Sequence, residues 1–179
     1  LLDVIAQRRG PGWVAHVPMD GFHLADVQLR RLGWSDRKGA PETFDAAGYA
    51  SLLERLRQDI DGDVYAPGFE RDLEQPLAAA VVVPPSSRLV ITEGNYLLLD
   101  RPPWRRARRA MDQVWFVVAD ERTRIERLLA RHVEFGKRPD AAHAWVTDVD
   151  ERNAELVSST AGAADRVVVN GARGWAFSA

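Results

Sequence analysis

Short, continuously apolar runs alternate along this chain with stretches in which apolar residues recur every three or four positions. The apolar runs have the length and composition of buried strands and lie at 13–18, 88–92, 113–119 and 164–169. The periodic stretches have the spacing of amphipathic helices and lie at 22–32, 45–60, 120–133 and 141–160. Strands that are apolar throughout need cover on both faces. The alternation therefore predicts an α/β fold, a three-layer parallel sheet with helices on both faces.

Residues that start and interrupt elements agree with this division. Asp45 and Asp120 stand directly before two of the predicted helices, where aspartate is a favoured N-cap. The stripe of apolar residues that follows Asp45 reaches Ile60. Residues 61–87 carry Gly, Pro and short β-prone runs, which predict hairpin-like strands in that segment.

The composition excludes several classes of protein. The 179 residues contain no cysteine, which excludes disulfides and thiolate chemistry. With 24 Lys and Arg against 26 Asp and Glu, the charge balance does not imply a general affinity for nucleic acid or anionic membranes. No apolar run approaches the roughly 18 residues that a membrane-spanning helix needs. We expect one cytoplasmic domain over 1–179, with a lid at about 121–140 and no membrane or nucleic-acid partner.

Two acids directly follow predicted strands, and each has a glycine after it: Asp20–Gly21 and Glu93–Gly94. Ligands bind at the carboxyl ends of parallel strands, so these acids are placed to take a proton or to hold a divalent ion beside a phosphate. Asp20 has an alternative role as the N-cap of the next helix, and Glu93 as a solvated acid. The recurrence of the pattern at two strand ends favours the functional interpretation.

Basic residues form a second group of candidates. Arg124, Arg127 and Arg131 recur on the polar face of one predicted helix, where they either meet a multiply charged phosphate or face solvent. Arg37 and Lys38 lie in a loop, where they either anchor an anionic substrate or are ordinary loop charges.

Two further features have competing interpretations. The run RPPWRRARR at 101–109 is either a nucleic-acid patch or a solvated helix face, and the overall charge favours the helix face. The four histidines show no metal-binding spacing. We interpret His16 as a strand residue, whereas His23 is the one histidine near the predicted crevice.

Five motifs follow one another along the chain: MDGFH at 19–23, RKGAPETFD at 37–45, APGFER at 66–71, ITEGNYLLLD at 91–100 and TRIERLLARH at 123–132. In this order they resemble the uridine kinase, bacterial-type pantothenate kinase and phosphoribulokinase group of P-loop kinases. The first two motifs are most similar to the pantothenate kinase pattern. The EGNYLLLD stretch is more similar to a branch labelled uridine kinase-like or fructose kinase-like.

The resemblance implies an enzyme that uses ATP and Mg²⁺, and it assigns catalytic roles to particular residues. Asp20 matches the aspartate that orients or deprotonates the substrate hydroxyl. Glu93 matches an acid that acts on Mg²⁺ through water, so both acids are assigned to the metal site. Arg124, Arg127 and Arg131 match lid residues that close on the ATP phosphates, with Arg127 as a catalytic residue.

The resemblance also implies a set of substrate-binding residues. His23 falls where nucleoside kinases carry a substrate-contacting Tyr, and Arg71 falls near a substrate-contacting His of pantothenate kinase. Asn153 matches a substrate-binding Asn of the same enzyme. Arg37 and Lys38 complete the set.

The phosphate-binding loop of this kinase group, G-x-x-x-x-G-K-[ST], does not occur in these residues. The Gly136–Lys137 pair has Arg138 after it and no glycine at the required upstream position. The group's first strand, loop and helix start take about 25–30 residues, most of a βαβ unit, and would end where Leu1 begins. We therefore expect that the N-terminal strand and P-loop are missing by truncation, and that nucleotide binding belongs to the complete protein.

The sequence supports hypotheses from different classes. The first is a kinase that transfers a phosphoryl group from ATP to a hydroxyl of a nucleoside, pantothenate or a sugar-like molecule. The second is a catalytically inactive kinase relative that acts as a regulatory or binding module. The third is an oligonucleotide binder that uses residues 101–109. The oligomeric state stays open, a homodimer included.

Overall fold

A computed structural model of the chain describes residues 1–58, 61–171 and 174–177. Ile60, which the helical periodicity includes, lies outside the described residues. The chain divides into two units. The first comprises Leu1–Leu97 with Arg101–Ala110, and the second comprises Leu98–Asp100 with Met111–Ala179.

The first unit begins with a helix and contains two strand pairs. In chain order its helices and strands are α1 (Leu2–Arg9), β1 (Val14–Pro18), α2 (Asp26–Leu32), α3 (Ala46–Leu56), β2 (Val64–Glu70), β3 (Gln75–Val83), β4 (Leu89–Glu93) and α4 (Pro102–Arg109). Short 3₁₀ turns connect them at Met19–Phe22, Ser35–Arg37 and Pro41–Thr43.

The second unit is built around three neighbouring strands. In chain order its helices and strands are β5 (Trp115–Ala119), α5 (Glu121–Glu134), α6 (Pro139–Trp145), α7 (Glu151–Ser158), β6 (Arg166–Gly171) and β7 (Gly174–Phe177). A π-helical turn at Val146–Asp150 joins α6 to α7, and a 3₁₀ turn at Ala161–Ala163 precedes β6.

The four predicted strands form two parallel pairs, one in each unit. β1 pairs with β4, and β5 pairs with β6. β7, to which the sequence assigned no element, pairs antiparallel with β6. The predicted hairpin is also confirmed, because β2 and β3 pair antiparallel. The mixture of parallel strands and connecting helices is the predicted α/β class.

The β1–β4 pair is held in the first unit by a small apolar core. Ala15 and Val17, on one face of β1, pack with Val64, Ala66 and Val83 of the hairpin strands. The other face of β1 is partly exposed and carries His16 and Pro18. This alternation follows from the two-residue period of a strand.

A chain of hydroxyl hydrogen bonds connects α3 to the ends of both strands. The Thr92 hydroxyl donates to the carbonyl of Val17, so the Tyr49 hydroxyl, 2.6 Å away, donates to the Thr92 oxygen. Burial raises the pKa of Tyr49, which keeps the hydroxyl a donor at neutral pH. These contacts join Val17, one residue before the strand end of β1, to Thr92, the residue before Glu93.

One predicted helix boundary is wrong. The helix expected over 22–32 begins at Asp26, and the residues before it form a 3₁₀ turn and an isolated bridge from His23 to Phe44. The cause is tertiary, because the carbonyl of Phe22 accepts from the backbone N–H of Asp45 rather than from a later residue of a helix. Ala25 stands at the N-cap position of α2, so Asp20 is not the cap of that helix.

Both predicted aspartate caps are confirmed. Asp45 accepts a hydrogen bond from the Gly48 N–H at 2.8 Å, and Asp120 accepts one from the Thr123 N–H at 2.9 Å. Each carboxylate satisfies a backbone donor that the first turn of a helix leaves free. The caps therefore fix the starts of α3 and α5.

The basic run at 101–109 is a packed helix. Trp104 is 3% exposed and makes edge-on contacts with Phe44. Arg106 holds both carboxylate oxygens of Glu54 on α3, at 2.7 and 2.5 Å. The structure supports the helix-face interpretation of this run.

Among the described residues, no helix is both long and apolar enough to span a membrane.

Two glycines let the chain segments at the strand ends approach each other. A Cβ atom on Gly21 would lie 2.6 Å from the carbonyl carbon of Pro67 in β2. A Cβ atom on Gly94 would lie 2.6 Å from the Cβ atom of Met19. Both distances are far below van der Waals contact. The turns that carry Asp20 and Glu93 therefore pack as they do because these positions lack a side chain.

We expect Gly21→Ala to lower the free energy of unfolding by about 1–3 kcal/mol or more, because its methyl group overpacks against backbone. Gly94→Ala should cost less, since part of its clash falls on the flexible end of Met19. Gly62→Ala is the control, because a Cβ there meets nothing within 4 Å. Urea denaturation measures the difference. Equal stability of the Gly21 and Gly62 variants would contradict this packing argument.

Candidate active site

The two acids predicted to work together lie at neighbouring strand ends. Glu93 is the last residue of β4 and stands opposite Pro18, the last residue of β1. Asp20 follows two residues after Pro18, in the 3₁₀ turn. Burial raises the pKa of the Glu93 carboxyl, and the negative charge of Asp20 raises it further. The parallel pairing therefore places both acids at the same edge of the strand pair.

Arg71 lies beside Asp20, and its binding of substrate stays a prediction. Its Nη2 atom is 3.4 Å from Oδ2 of Asp20, and its guanidinium lies 5.7 Å from the ring centre of Phe69. Its positive charge also opposes the rise in the pKa of Glu93. The turn of the β2–β3 hairpin therefore supplies a cation to the acidic pair.

His23 sits between two aromatic rings next to Asp20. Its ring centre lies 4.0 Å from that of Phe44 and 4.9 Å from that of Phe69, and its side chain is 10% exposed. Its Nδ1 atom is 2.8 Å from the carbonyl oxygen of Asp20. A carbonyl only accepts, so Nδ1 carries the hydrogen.

The chemical state of His23 follows from this contact. Burial is the main cause that lowers the pKa of His23, and the charge of Lys38 lowers it further. The neutral imidazole therefore presents Nε2 as a hydrogen-bond acceptor. Nε2 has no hydrogen-bond partner in the part of the chain that the structure describes.

His16 is a site residue that the sequence interpretation missed. Its Nε2 atom lies 3.5 Å from Oε1 of Glu93, and its charge opposes the rise in the pKa of that acid. It also lines a cleft of about 270 Å³ between β1 and the hairpin, whose other lining residues are Pro18, Gly68, Phe69, Glu70, Leu77, Ala80 and Val81. His16 is identified by the register of β1 against β4, and this register cannot be derived from the sequence alone.

Arg37 and Lys38 already have partners within the first unit. Arg37 lies 3.6 Å from Asp36 and 3.7 Å from Glu42. The Lys38 ammonium donates to Asp26 at 2.8 Å and to the carbonyl of Glu74, which connects its loop to α2 and to the hairpin. Both residues have structural roles here, and their binding of substrate stays a prediction.

The three predicted lid arginines differ from one another within the second unit. Arg124 is half-buried and pairs with Glu151 of α7 at 2.6 Å. Arg127 and Arg131 are exposed, and neither has an ion-pair or hydrogen-bond partner among the described residues. Asn153 is partly buried on α7. The roles of these residues toward ATP or substrate stay predictions.

The acids fit a magnesium ion that is held mostly by water and phosphate. The described residues contain no group of three or more His, Asp or Glu side chains that could hold a metal ion by themselves. Mg²⁺ commonly keeps several waters and takes one or two carboxylates together with the phosphates of its substrate. Asp20 and Glu93 supply two carboxylates in a site with neighbouring cations.

Comparisons with known proteins agree on the fold and on the class. No family model matches the chain. The ATP-dependent kinase-like protein notR' of Aspergillus versicolor is 40% identical over 133 residues, which cover 70% of this chain and 77% of that protein. A candidate uridine kinase, C227.14 of Schizosaccharomyces pombe, is 34% identical over 134 residues, which cover 73% of this chain and 57% of that protein. The chain thus spans little more than half of this second relative.

A solved structure extends the comparison to three dimensions. The candidate fructose transport system kinase of Silicibacter sp. TM1040 is 37% identical and superposes with a TM-score of 0.75, over 82% of this chain and 70% of that one. The fold is therefore that of a P-loop kinase. This superposition and the 40% identity to the Aspergillus protein show that the chain belongs to the P-loop kinase group of ATP-dependent kinase-like and uridine kinase-like proteins.

The burial of His23 predicts a pH dependence of stability. Its pKa in the folded protein is lower than the ordinary value of 6.5, so below about pH 6.5 the unfolded chain binds more protons than the folded one. The free energy of unfolding should therefore fall as pH decreases through that range. His23→Gln should flatten this fall between about pH 7 and 5, as measured by urea denaturation. His143→Gln, on the exposed surface of α6, is the control, and an equal flattening in both variants would contradict the assignment to His23.

Proposed function

We propose that this protein is a cytoplasmic kinase that transfers a phosphoryl group from ATP to a hydroxyl group of a small molecule, with Mg²⁺ as cofactor. The observation that carries the proposal is the placement of Asp20 and Glu93 at the carboxyl ends of two parallel, adjacent strands. Membership of the P-loop kinase group supports the reaction class.

The acid nearest the hairpin is the proposed base. Asp20 accepts the proton of the acceptor hydroxyl while the hydroxyl oxygen forms a bond to the γ-phosphorus of ATP. The bond from that phosphorus to the oxygen that bridges it to the β-phosphate breaks, and ADP is released. Glu93 would hold a water of the Mg²⁺ shell, and Mg²⁺, when bound, would neutralise charge on the phosphates. Arg71, within 3.4 Å of Asp20, keeps the base oriented.

The acceptor subsite is proposed to lie beside Asp20. The free Nε2 acceptor of His23 suits a hydroxyl or amide donor of the substrate, and the rings of Phe44 and Phe69 give the subsite apolar walls. Arg37 and Lys38 are proposed as further contacts of this subsite, and the substrate-binding role of Asn153 in the second unit stays a prediction. These groups are compatible with a nucleoside, pantothenate or a sugar-like acceptor.

The acceptor is identified by a screen of the protein expressed from its complete reading frame. ADP release is coupled to a spectroscopic assay and measured against pantothenate, uridine, cytidine and hexoses. Acceptor-dependent ADP release supports the kinase. Binding of an acceptor without ADP release favours the alternative, a catalytically inactive relative that acts as a regulatory or binding module.

We expect Asp20→Asn to lower kcat by about a hundred-fold or more while ATP still binds, because the change removes the base and its charge but keeps the size of the side chain. Steady-state kinetics beside a direct nucleotide titration measure the two effects. Asp72→Asn is the control, since Asp72 is an exposed acid in the turn between β2 and β3 with no ion pair among the described residues. An unchanged kcat in Asp20→Asn would remove Asp20 from the mechanism.

Arg127→Ala should leave the melting temperature nearly unchanged, because its side chain is exposed and unpaired within the described chain. It should lower kcat by about a hundred-fold if its guanidinium stabilises charge in the transition state. Arg122→Ala, on the same helix and paired with Glu126 at its surface, is the control. Equal turnover in the Arg127 and Arg122 variants would remove Arg127 from the lid mechanism.

A further inference from the structure

The partly exposed face of β1 carries a polar residue for which the proposed mechanism has no role. His16 and Pro18 lie on this face, whereas Ala15 and Val17 are buried on the other. In the parallel register Pro18 stands opposite Glu93. Proline has no polar side chain and no backbone N–H, so it offers the Glu93 carboxylate no hydrogen bond. The nearest polar group on the same face of β1 belongs to His16.

The imidazole of His16 reaches the carboxylate. Its Nε2 atom lies 3.5 Å from Oε1 of Glu93, which is within the distance of an ion pair. The two side chains are 38% and 56% exposed, so both remain accessible to water and to a ligand. This is the one ion pair of Glu93 in the part of the chain that the structure describes, and no hydrogen bond from another side chain supports it there.

The other charged neighbours do not orient Glu93. Asp20 repels the carboxylate, which raises its pKa. Arg71 attracts it but directs its Nη2 atom to Asp20. A glutamate has several rotatable bonds, so an acid that must present one oxygen to a metal shell needs a partner that fixes the other. His16 is in place to be that partner.

We infer that His16 is a positioning residue: its ion pair with Oε1 restrains the Glu93 carboxylate, so that Oε2 would remain available to the water shell of a magnesium nucleotide. The inference rests on the proposed function, because it is in that reaction that the orientation of Glu93 matters. His16 itself touches neither substrate nor phosphate in this role. Loss of a residue that orients a metal-supporting carboxylate commonly costs 10- to 100-fold in metal affinity or activity.

The test compares His16→Val, which suits a strand but lacks a donor, with His16→Gln, whose amide N–H can reach the carboxylate. The protein is expressed from its complete reading frame, and two quantities are measured. One is the Mg²⁺ concentration that gives half-maximal phosphoryl transfer. The other is the ADP dissociation constant with and without Mg²⁺, obtained by calorimetry.

We expect His16→Val to raise the Mg²⁺ requirement by about ten-fold or more and to reduce the gain in ADP affinity that Mg²⁺ provides. ADP affinity without Mg²⁺ should stay unchanged, and His16→Gln should recover most of the loss. Leu77→Ala is the control, because Leu77 lines the same cleft and its side chain has no polar group to offer Glu93. It should keep the Mg²⁺ dependence of the parent.

Three results overturn the inference. Parent-like Mg²⁺ dependence of His16→Val in an active parent overturns it and leaves the proposed function intact. A parent with neither acceptor-dependent ADP release nor Mg²⁺-dependent ADP binding overturns the proposed function, and the inference with it. If His16→Val does not fold, His16→Thr replaces it, since threonine also suits a strand and is too short to reach Glu93. Loss of folding in both variants would show a structural role for His16 instead.

Discussion

The parallel pairing of β1 with β4 is the constraint on which the rest of the candidate site depends. In a parallel pair both strands end at the same edge, so Glu93 and the turn that carries Asp20 meet there. The hydroxyl contacts among Tyr49, Thr92 and Val17 hold this register from the side of α3. An antiparallel pairing of the same two strands would place the acids at opposite ends and leave no common site.

Two carboxylates at one edge repel each other, and the surrounding residues limit that repulsion from both sides. Arg71 reaches Asp20 from the hairpin turn, and His16 reaches Glu93 from β1. Burial and the charge of Asp20 raise the pKa of Glu93, whereas His16 and Arg71 lower it. The balance keeps a concentrated negative charge that a divalent ion can neutralise, while each acid keeps a separate orienting partner.

The arginines of α5 differ in their contacts within the second unit. Arg124 is committed to Glu151, so it ties α5 to α7, and His132 adds a second contact to Asp150 at 2.7 Å. Arg127 points its guanidinium to solvent. A residue with no partner costs little to redirect toward a phosphate, whereas Arg124 would first have to leave a carboxylate.

Local sequence patterns were sufficient to predict the apolar strands, the aspartate caps at Asp45 and Asp120, and the two acid–glycine pairs at strand ends. Each of these depends on the period of a strand or helix or on the chemistry of a turn, and both are local. Features that depend on strand register or on contacts with distant backbone could be seen only in the folded protein. The contact of His16 with Glu93 needs the alignment of two strands separated by the whole hairpin, and the late start of α2 needs the hydrogen bond from Asp45 to Phe22. These contacts join segments that are far apart in the chain, so a local sequence pattern cannot predict them.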